Sequence, residues 1–222
     1  MAVNDMTPLP VRRLKATLKD TIKTIIADIV RITVAITAIA MAIITGVLTS
    51  RQMIGTGSAI STQTFGPWVF WSEAGRADAD PYTRAHFVKS GIMRFSSDAA
   101  GVYEASRDAS GSYLHSSCDY VIEGPYPRGL WWSFAVFDKW GKLIANDAAR
   151  YAFTSDTVAA NPDASYIITL GRDARPGNWL PTGGAGRLTV IFTLLDPATG
   201  FSEEERAERA KLLPFIRKEG CS

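Results

Sequence analysis

Residues that usually carry chemistry are scarce in this chain: its 222 residues include two cysteines and two histidines. A structural zinc site with four ligands would consume Cys118, Cys221, His86 and His115 at once, so no metal is expected. No G-x-S-x-G element and no phosphate-cradling glycine loop occurs, which removes a nucleophile elbow and a P-loop, and no cofactor is implied. His115 and Cys118 lie three residues apart, which on a strand turns them to opposite faces and spoils them as base and nucleophile. Charge is missing as well, from Ile32 to Ser50, nineteen consecutive positions.

As a helix rising about 1.5 Å per residue, that run spans roughly 28 Å, close to a bilayer's hydrocarbon thickness. It is apolar all round, which fits lipid better than one face of a water-exposed bundle. Ala38-Ile39-Ala40 has the pattern of a signal-peptide cleavage site, but it falls mid-run and thirty-one residues precede the run, so an uncleaved anchor is expected. Arg12, Arg13, Lys15, Lys19, Lys23 and Arg31 precede the span, against Arg51 and Arg76 in the stretch after it. The positive-inside bias then keeps the N-terminus cytoplasmic and exports the rest, giving a single-pass membrane protein with an exported domain. Val11, Leu14, Leu18, Ile22, Ile25 and Ile29 recur at helical spacing before the span, so residues 1–31 read as a basic amphipathic leader. That leader either adheres to the anionic inner leaflet or extends the anchor helix.

Removing the seven basic and three acidic residues up to Arg51 from the totals of 24 and 22 leaves 17 and 19, a net of −2 for the exported part. The basic character of the whole chain therefore lies in its leader, and no nucleic-acid partner is expected. Residues 51–66 are rich in Gly, Ser and Thr and read as a flexible linker after the 32–50 span. Asp80 followed by Pro81 supplies an N-cap and first turn for a helix to about Arg94. Beyond that helix, strand signals dominate. Gly101 to Arg107 runs into the turn Asp108-Ala109-Ser110-Gly111, with Tyr113 to Glu123 as the return strand. Leu130 to Phe137 is apolar on both faces, as for a strand buried between layers, and Asp138-Lys139-Trp140-Gly141 turns it into Lys142 to Ala145. Ser165 to Leu170 is a further short strand. Leu188, Val190, Phe192 and Leu194 alternate with Arg187, Thr189 and Thr193, and only Ile191 breaks the polar row. Ser202 and Glu205 form a capping box for a helix to about Leu213, stopped by Pro214, so 202–222 reads as a C-terminal helix and tail. The expected fold is mainly β: a jelly-roll-like antiparallel sandwich over 67–201 with flanking helices, preceded by one transmembrane helix.

Trp131-Trp132-Ser133, Phe137-Asp138, Gly141 to Leu143, Asn146, Arg150-Tyr151 and Asn178-Trp179-Leu180-Pro181 together resemble the bacterial domain-of-unknown-function 1214 family, with weaker agreement at Tyr82, Arg84-Ala85, Asp108, Gly111 and Asp196-Pro197. The resemblance implies a β-rich, jelly-roll-like domain in envelope or secreted proteins without a settled activity, and with the anchor and its orientation it leads us to expect a single-pass protein of a bacterial inner membrane with a periplasmic domain. Larger members carry a companion N-terminal domain where this chain has an anchor.

Cys118 and Cys221 both fall on the exported side, where a disulfide persists, and we expect them paired; two buried thiols are the rival. Paired, they would pin the C-terminal helix to the sandwich. For ligand binding the candidates are Trp131, Trp132, Asn146, Arg150, Tyr151, Asn178 and Trp179, with Trp140 beside them: rings for stacking, amides for directed bonds and a guanidinium fork for an anion. The plain alternative buries Trp131 and Trp132 on opposite faces and uses Arg150 to lock a hairpin through Asp138 or Asp147. For catalysis, Asp119 and Glu123 are about 13 Å apart along a strand, too far for a glycosidase pair. Asp138 with Asp147 remains, against a capping role for Asp138 in its own turn. Two functions emerge: an anchored envelope module, leaning non-enzymatic, that binds a glycan, lipid or protein, and a hydrolase of an envelope glycan or lipid using Asp138 and Asp147 as acid and base.

Overall fold

The computed structural model describes residues 11–57, 60–127, 129–195, 204, 208 and 211–221, with side chains from Leu18 onward. It divides into two units, Met1–Gln52 and Met53–Ser222.

The leader and the apolar run form one uninterrupted helix, α1 (Val11–Thr56). No proline or glycine interrupts the chain from Val11 to Thr45, and Gly57, at φ 80°, stops the helix in the left-handed conformation. A window within it reaches a mean hydropathy of 2.3, so α1 is long and apolar enough to cross a membrane once. Hydroxyls in this stretch are satisfied within the helix: Thr33 donates to the carbonyl of Ile29 at 2.8 Å, Thr49 to that of Thr45 at 2.9 Å, and Thr37 to that of Thr33. That is what a polar group needs where water is absent.

The second unit is mainly β. Its strands are β1 (Thr62–Phe65), β2 (Trp68–Trp71), β3 (Ala100–Ala105), β4 (Cys118–Pro125), β5 (Trp131–Asp138), β6 (Ala152–Thr154), β7 (Ser165–Gly171), β8 (Asn178–Pro181), β9 (Leu188–Leu195) and β10 (Phe215–Cys221), and the helix α2 (Pro81–Ser90) lies between β2 and β3 in sequence. Six strands make an antiparallel sheet in the order β1-β2-β3-β9-β5-β6, and four make a second sheet, β10-β4-β7-β8, in which β7 and β8 run parallel. The expected antiparallel pattern therefore holds everywhere except that pair.

The core lies between the sheets. Trp68, Tyr103, Trp132, Phe134 and Phe192 project from the larger sheet, and Tyr120, Ile122, Tyr166, Ile168, Leu170 and Ile216 from the smaller. Phe134 stacks on Phe192 at 4.4 Å, and Trp132 meets Tyr166 across the sandwich at 5.3 Å. Strand β9 alternates buried and half-buried residues as its sequence predicts. Strand β5 does not behave as expected: Trp132, Phe134 and Val136 are buried, but Trp131, Ser133, Ala135 and Phe137 are only half-covered, so one face alone packs against the second layer.

Further expectations are corrected. The expected linker is shortened from both ends, because α1 continues to Thr56 and β1 begins at Thr62. Asp80 caps α2 as predicted, accepting from the amides of Tyr82 and Thr83, but the helix stops at Ser90 because Gly91 takes φ 67°. The strands on either side of Asp108-Gly111 are not hairpin partners: β3 pairs with β2 and β9, whereas β4 pairs with β7 and β10 in the other sheet. Between them the ladder is reduced to an isolated bridge between Arg107 and Tyr113, and the turn is closed by the Asp108 amide donating to the Ser112 carbonyl and by the Asp108 carboxylate accepting from the amides of Ser110 and Ser112. After Pro214 the chain forms a strand, where a tail was expected, and the Cys118–Cys221 disulfide pins β10 directly opposite β4. Cys118, Tyr120 and Ile122 share the inward face of β4. Of the expected 202–213 helix, Glu204 and Glu208 are helical and most of the remainder lies outside the described residues.

Candidate ligand-binding surface

Along one side of the sandwich, edge strand β6 of the larger sheet approaches edge strand β8 of the smaller, and part of the set singled out by the sequence gathers here. Strand β6 pairs with β5 through Phe153 opposite Phe134, and the loop 139–151 leads into it. That loop is held by Asn146, whose Nδ2 donates to the carbonyls of Ile144 and Arg150, both at 3.0 Å, while its Oδ1 accepts from the amide of Arg150 at 3.0 Å. Both ends of the Asn146 amide are thus spent on backbone, and what they fix is the position of Arg150.

The Arg150 guanidinium crosses the seam. It donates to the Trp179 carbonyl at 3.4 Å and lies 5.7 Å from the Phe153 ring and 5.9 Å from the Trp179 ring. Trp179 is fixed in turn by its Nε1 donating to the Gly171 carbonyl at 3.0 Å. Tyr151 stands exposed beside Arg150. Asn178 is buried and joins the loop before β7 to β8: its Oδ1 accepts from Ala159 N at 2.7 Å, and its Nδ2 donates to the carbonyls of Ala159 and Ile167, both at 2.9 Å. Tyr126 supplies another tie, donating to the Ser155 carbonyl at 2.7 Å.

The expected ligand set is therefore divided by the fold. Arg150, Tyr151 and Trp179 converge on the surface, with Asn146 as the brace beneath them. Asn178 is a seam residue. Trp132 is wholly buried in the core, and Trp131 stands at the start of β5, seven residue steps, or about 23 Å, from Asp138 at its end. Trp140 is exposed in the Asp138–Gly141 turn with the Lys139 ammonium 4.2 Å from its ring centroid.

Asp138 Oδ1 accepts from the amides of Trp140 at 2.8 Å and Lys142 at 2.9 Å, the capping bonds of a side-chain-closed turn. Asp147 is exposed in the loop ahead of Arg150. Cys118 is consumed in the disulfide, and His115 Nδ1 lies 2.8 Å from the Ser117 hydroxyl. Among the described residues, no three His, Cys, Asp or Glu side chains gather in a way that would hold a metal.

An aspartate whose titration the fold shapes lies elsewhere. Buried Asp108 would have its pKa raised by desolvation, but the Ser110 hydroxyl at 2.6 Å and the amides of Ser112 and Ser110 at 3.0 and 2.9 Å outweigh it and leave the carboxyl below its usual range. Its other oxygen, Oδ2, is buried with no partner.

Sequence reasoning did not foresee the ion pairs of this domain, and one of them is mostly buried. Arg94, with only 8% of its side chain exposed, pairs with Glu104 on the outer face of the larger sheet and lies 5.7 Å from the Phe87 ring. The signal that pointed there was Ile191, the apolar break in the polar row of β9, which pairs with Glu104 across the ladder.

Comparison with known proteins places this sandwich. The VPA0106 protein from Vibrio parahaemolyticus has a similar fold, with a TM-score of 0.53 and 19% identity over 79% of this chain. The chain spans 43% of that protein's length. A protein from Burkholderia cenocepacia matches with a TM-score of 0.40 and 16% identity over 55% of this chain and 30% of its own. No curated protein matches. Residues 99–199, from the start of β3 past the end of β9, match the family described as a protein of unknown function, DUF1214, so the body of the sandwich bears the resemblance carried by its Trp-Trp-Ser, Arg-Tyr and Asn-Trp-Leu-Pro segments.

Proposed function

We propose that this chain is a module tethered to the inner membrane by α1, with its sandwich in the periplasm, where the Arg150 surface binds an anionic glycan, lipid or protein of the envelope. The observation that carries this reading is Arg150 itself: an exposed guanidinium between two rings, on a loop whose brace, Asn146, leaves it little freedom. A rigid cation flanked by aromatic faces suits a planar anion that can take a forked pair of hydrogen bonds while its apolar or sugar body rests on Tyr151 and Trp179. Six basic residues before the apolar run favour the N-terminus inside, and a disulfide closing 103 residues of chain favours an oxidising compartment for the rest. The hydrolase alternative gains nothing from Asp138, whose carboxylate is engaged by its own turn.

The test is binding of muropeptides and of anionic phospholipid vesicles to the full chain in nanodiscs, with Arg150→Ala alongside. Affinity for one class that falls at least tenfold in the variant supports the proposal. Equal binding by both proteins, or none by either, removes it.

A further inference from the structure

The outer face of the six-stranded sheet should be polar, since only its inner face meets the second layer. Instead Val102, Ile191 and Phe137 form an apolar island there, on β3, β9 and β5 respectively. The segment after α2 arches over this island, with Ile92 40% and Phe95 66% exposed, and encloses a groove of about 290 Å³. That is near the lower end of small-molecule sites and room for about ten atoms the size of a water oxygen. Arg94 lines the groove too. Its Nη2 is taken by Glu104, while its Nε is buried without any acceptor, an uncommon state for a donor with so little access to water.

From these features we infer that the groove binds a single acyl chain with an oxygen-bearing head, a free fatty acid or a lysolipid, with the chain on Val102, Ile191 and Phe137 and the head against the Arg94 guanidinium. An apolar trough of about 290 Å³ suits one flexible chain; a folded partner would need a far larger surface. Lipid supply rests on the reading of α1 as a membrane span, which brings this domain beside a reservoir of acyl lipids. The groove is separate from the Arg150 surface: neither Arg150 nor Trp179 lines it.

The experiment uses the Met53–Ser222 unit, which holds the whole core from Trp68 to Ile216 and the disulfide, after cooperative urea unfolding has shown that it folds by itself. Dansyl-undecanoate serves as the probe, displaced by fatty acids of increasing length. The expected result is saturable, blue-shifted emission, with competitor affinity improving about fourfold per methylene up to roughly ten carbons. Ile191→Asp should abolish binding and Ile191→Thr should weaken it several-fold while both keep the parent circular dichroism. Dodecyltrimethylammonium, which offers no acceptor, should compete at least tenfold less well than laurate. Absence of displaceable binding, or binding unchanged in Ile191→Asp, overturns the groove, and equal competition by the ammonium overturns the role of Arg94. Flotation of the full chain with membranes tests the anchor independently, so failure of one is not failure of the other.

Discussion

Reduction of the Cys118–Cys221 bond should cost this domain a large share of its stability, and the size of the loss can be worked from topology. The bond closes a loop of 103 residues. In the chain-entropy treatment, a loop of that length removes about 5 kcal/mol of freedom from the unfolded chain. A typical domain has only about 5 to 15 kcal/mol of total stability, so the reduced protein should be near its limit. One structural feature lowers the measured value. Strand β10 is an edge strand held by β4 on one side, and its deep anchor is Ile216, which is wholly buried. If β10 frays before the rest unfolds, part of the loop entropy returns, and the loss falls toward about 3 kcal/mol. Urea unfolding of the Met53–Ser222 unit, oxidised against a Cys118→Ala/Cys221→Ala double variant, measures the difference. We expect a drop of about 3 to 5 kcal/mol, accompanied by a change in fluorescence of Trp68, whose Nε1 donates to the Pro214 carbonyl at 2.8 Å just before β10. A loss below about 1 kcal/mol would refute the reasoning, because the unfolded chain would then be gaining little freedom from so long a loop.

Other consequences are local. Asn178→Ala removes three hydrogen bonds from a buried seam and leaves backbone groups of Ala159 and Ile167 without partners, so denaturant unfolding should show a loss of about 2 to 4 kcal/mol. Asp108 has a lowered carboxyl pKa in the folded state, so its ionisation favours folding above its unfolded value near 4, and that contribution vanishes as pH falls through the folded value. Stability followed from pH 6 to pH 2 should therefore decline less steeply in Asp108→Asn than in the parent. Gly75 holds φ 68°, and a Cβ there would come within 2.6 Å of the Phe95 carbonyl oxygen. Gly75→Ala should lower the melting temperature and displace the Phe95 segment, weakening dansyl-undecanoate binding in the same sample. Phe134→Ala, in the middle of the aromatic core, should cost about 3 to 5 kcal/mol by thermal or urea unfolding.

What was legible in the sequence was whatever depends on neighbours within a few positions. The alternation of Leu188 to Leu194 placed β9 and its inward face, and Asp80-Pro81 placed the start of α2. The uncharged run placed α1. Strand pairing was not legible, because an Asp-Ala-Ser-Gly turn looks the same whether the chain returns to its own sheet or crosses to another. Residues 112–117 carry it across, and nothing in their composition marks the crossing. Strand β10 was hidden for a related reason: Phe215 to Cys221 buries only Ile216, so it has no alternation to read and owes its existence to the free edge of β4 and to the disulfide. The site shows the same limit. Asn, Arg and Trp at loop ends are the residues a binding surface uses, and they are equally the residues that satisfy backbone groups where two sheet edges meet. Which duty each performs depends on which amides and carbonyls the fold strands nearby. Asn178 and Asn146 answer such orphaned groups directly, whereas among the described residues the Arg150 guanidinium has a single long bond, to the Trp179 carbonyl. Of the polar candidates, Arg150 therefore retains the most unused hydrogen-bonding capacity, and a ligand can be recognised only with capacity that folding has left unspent.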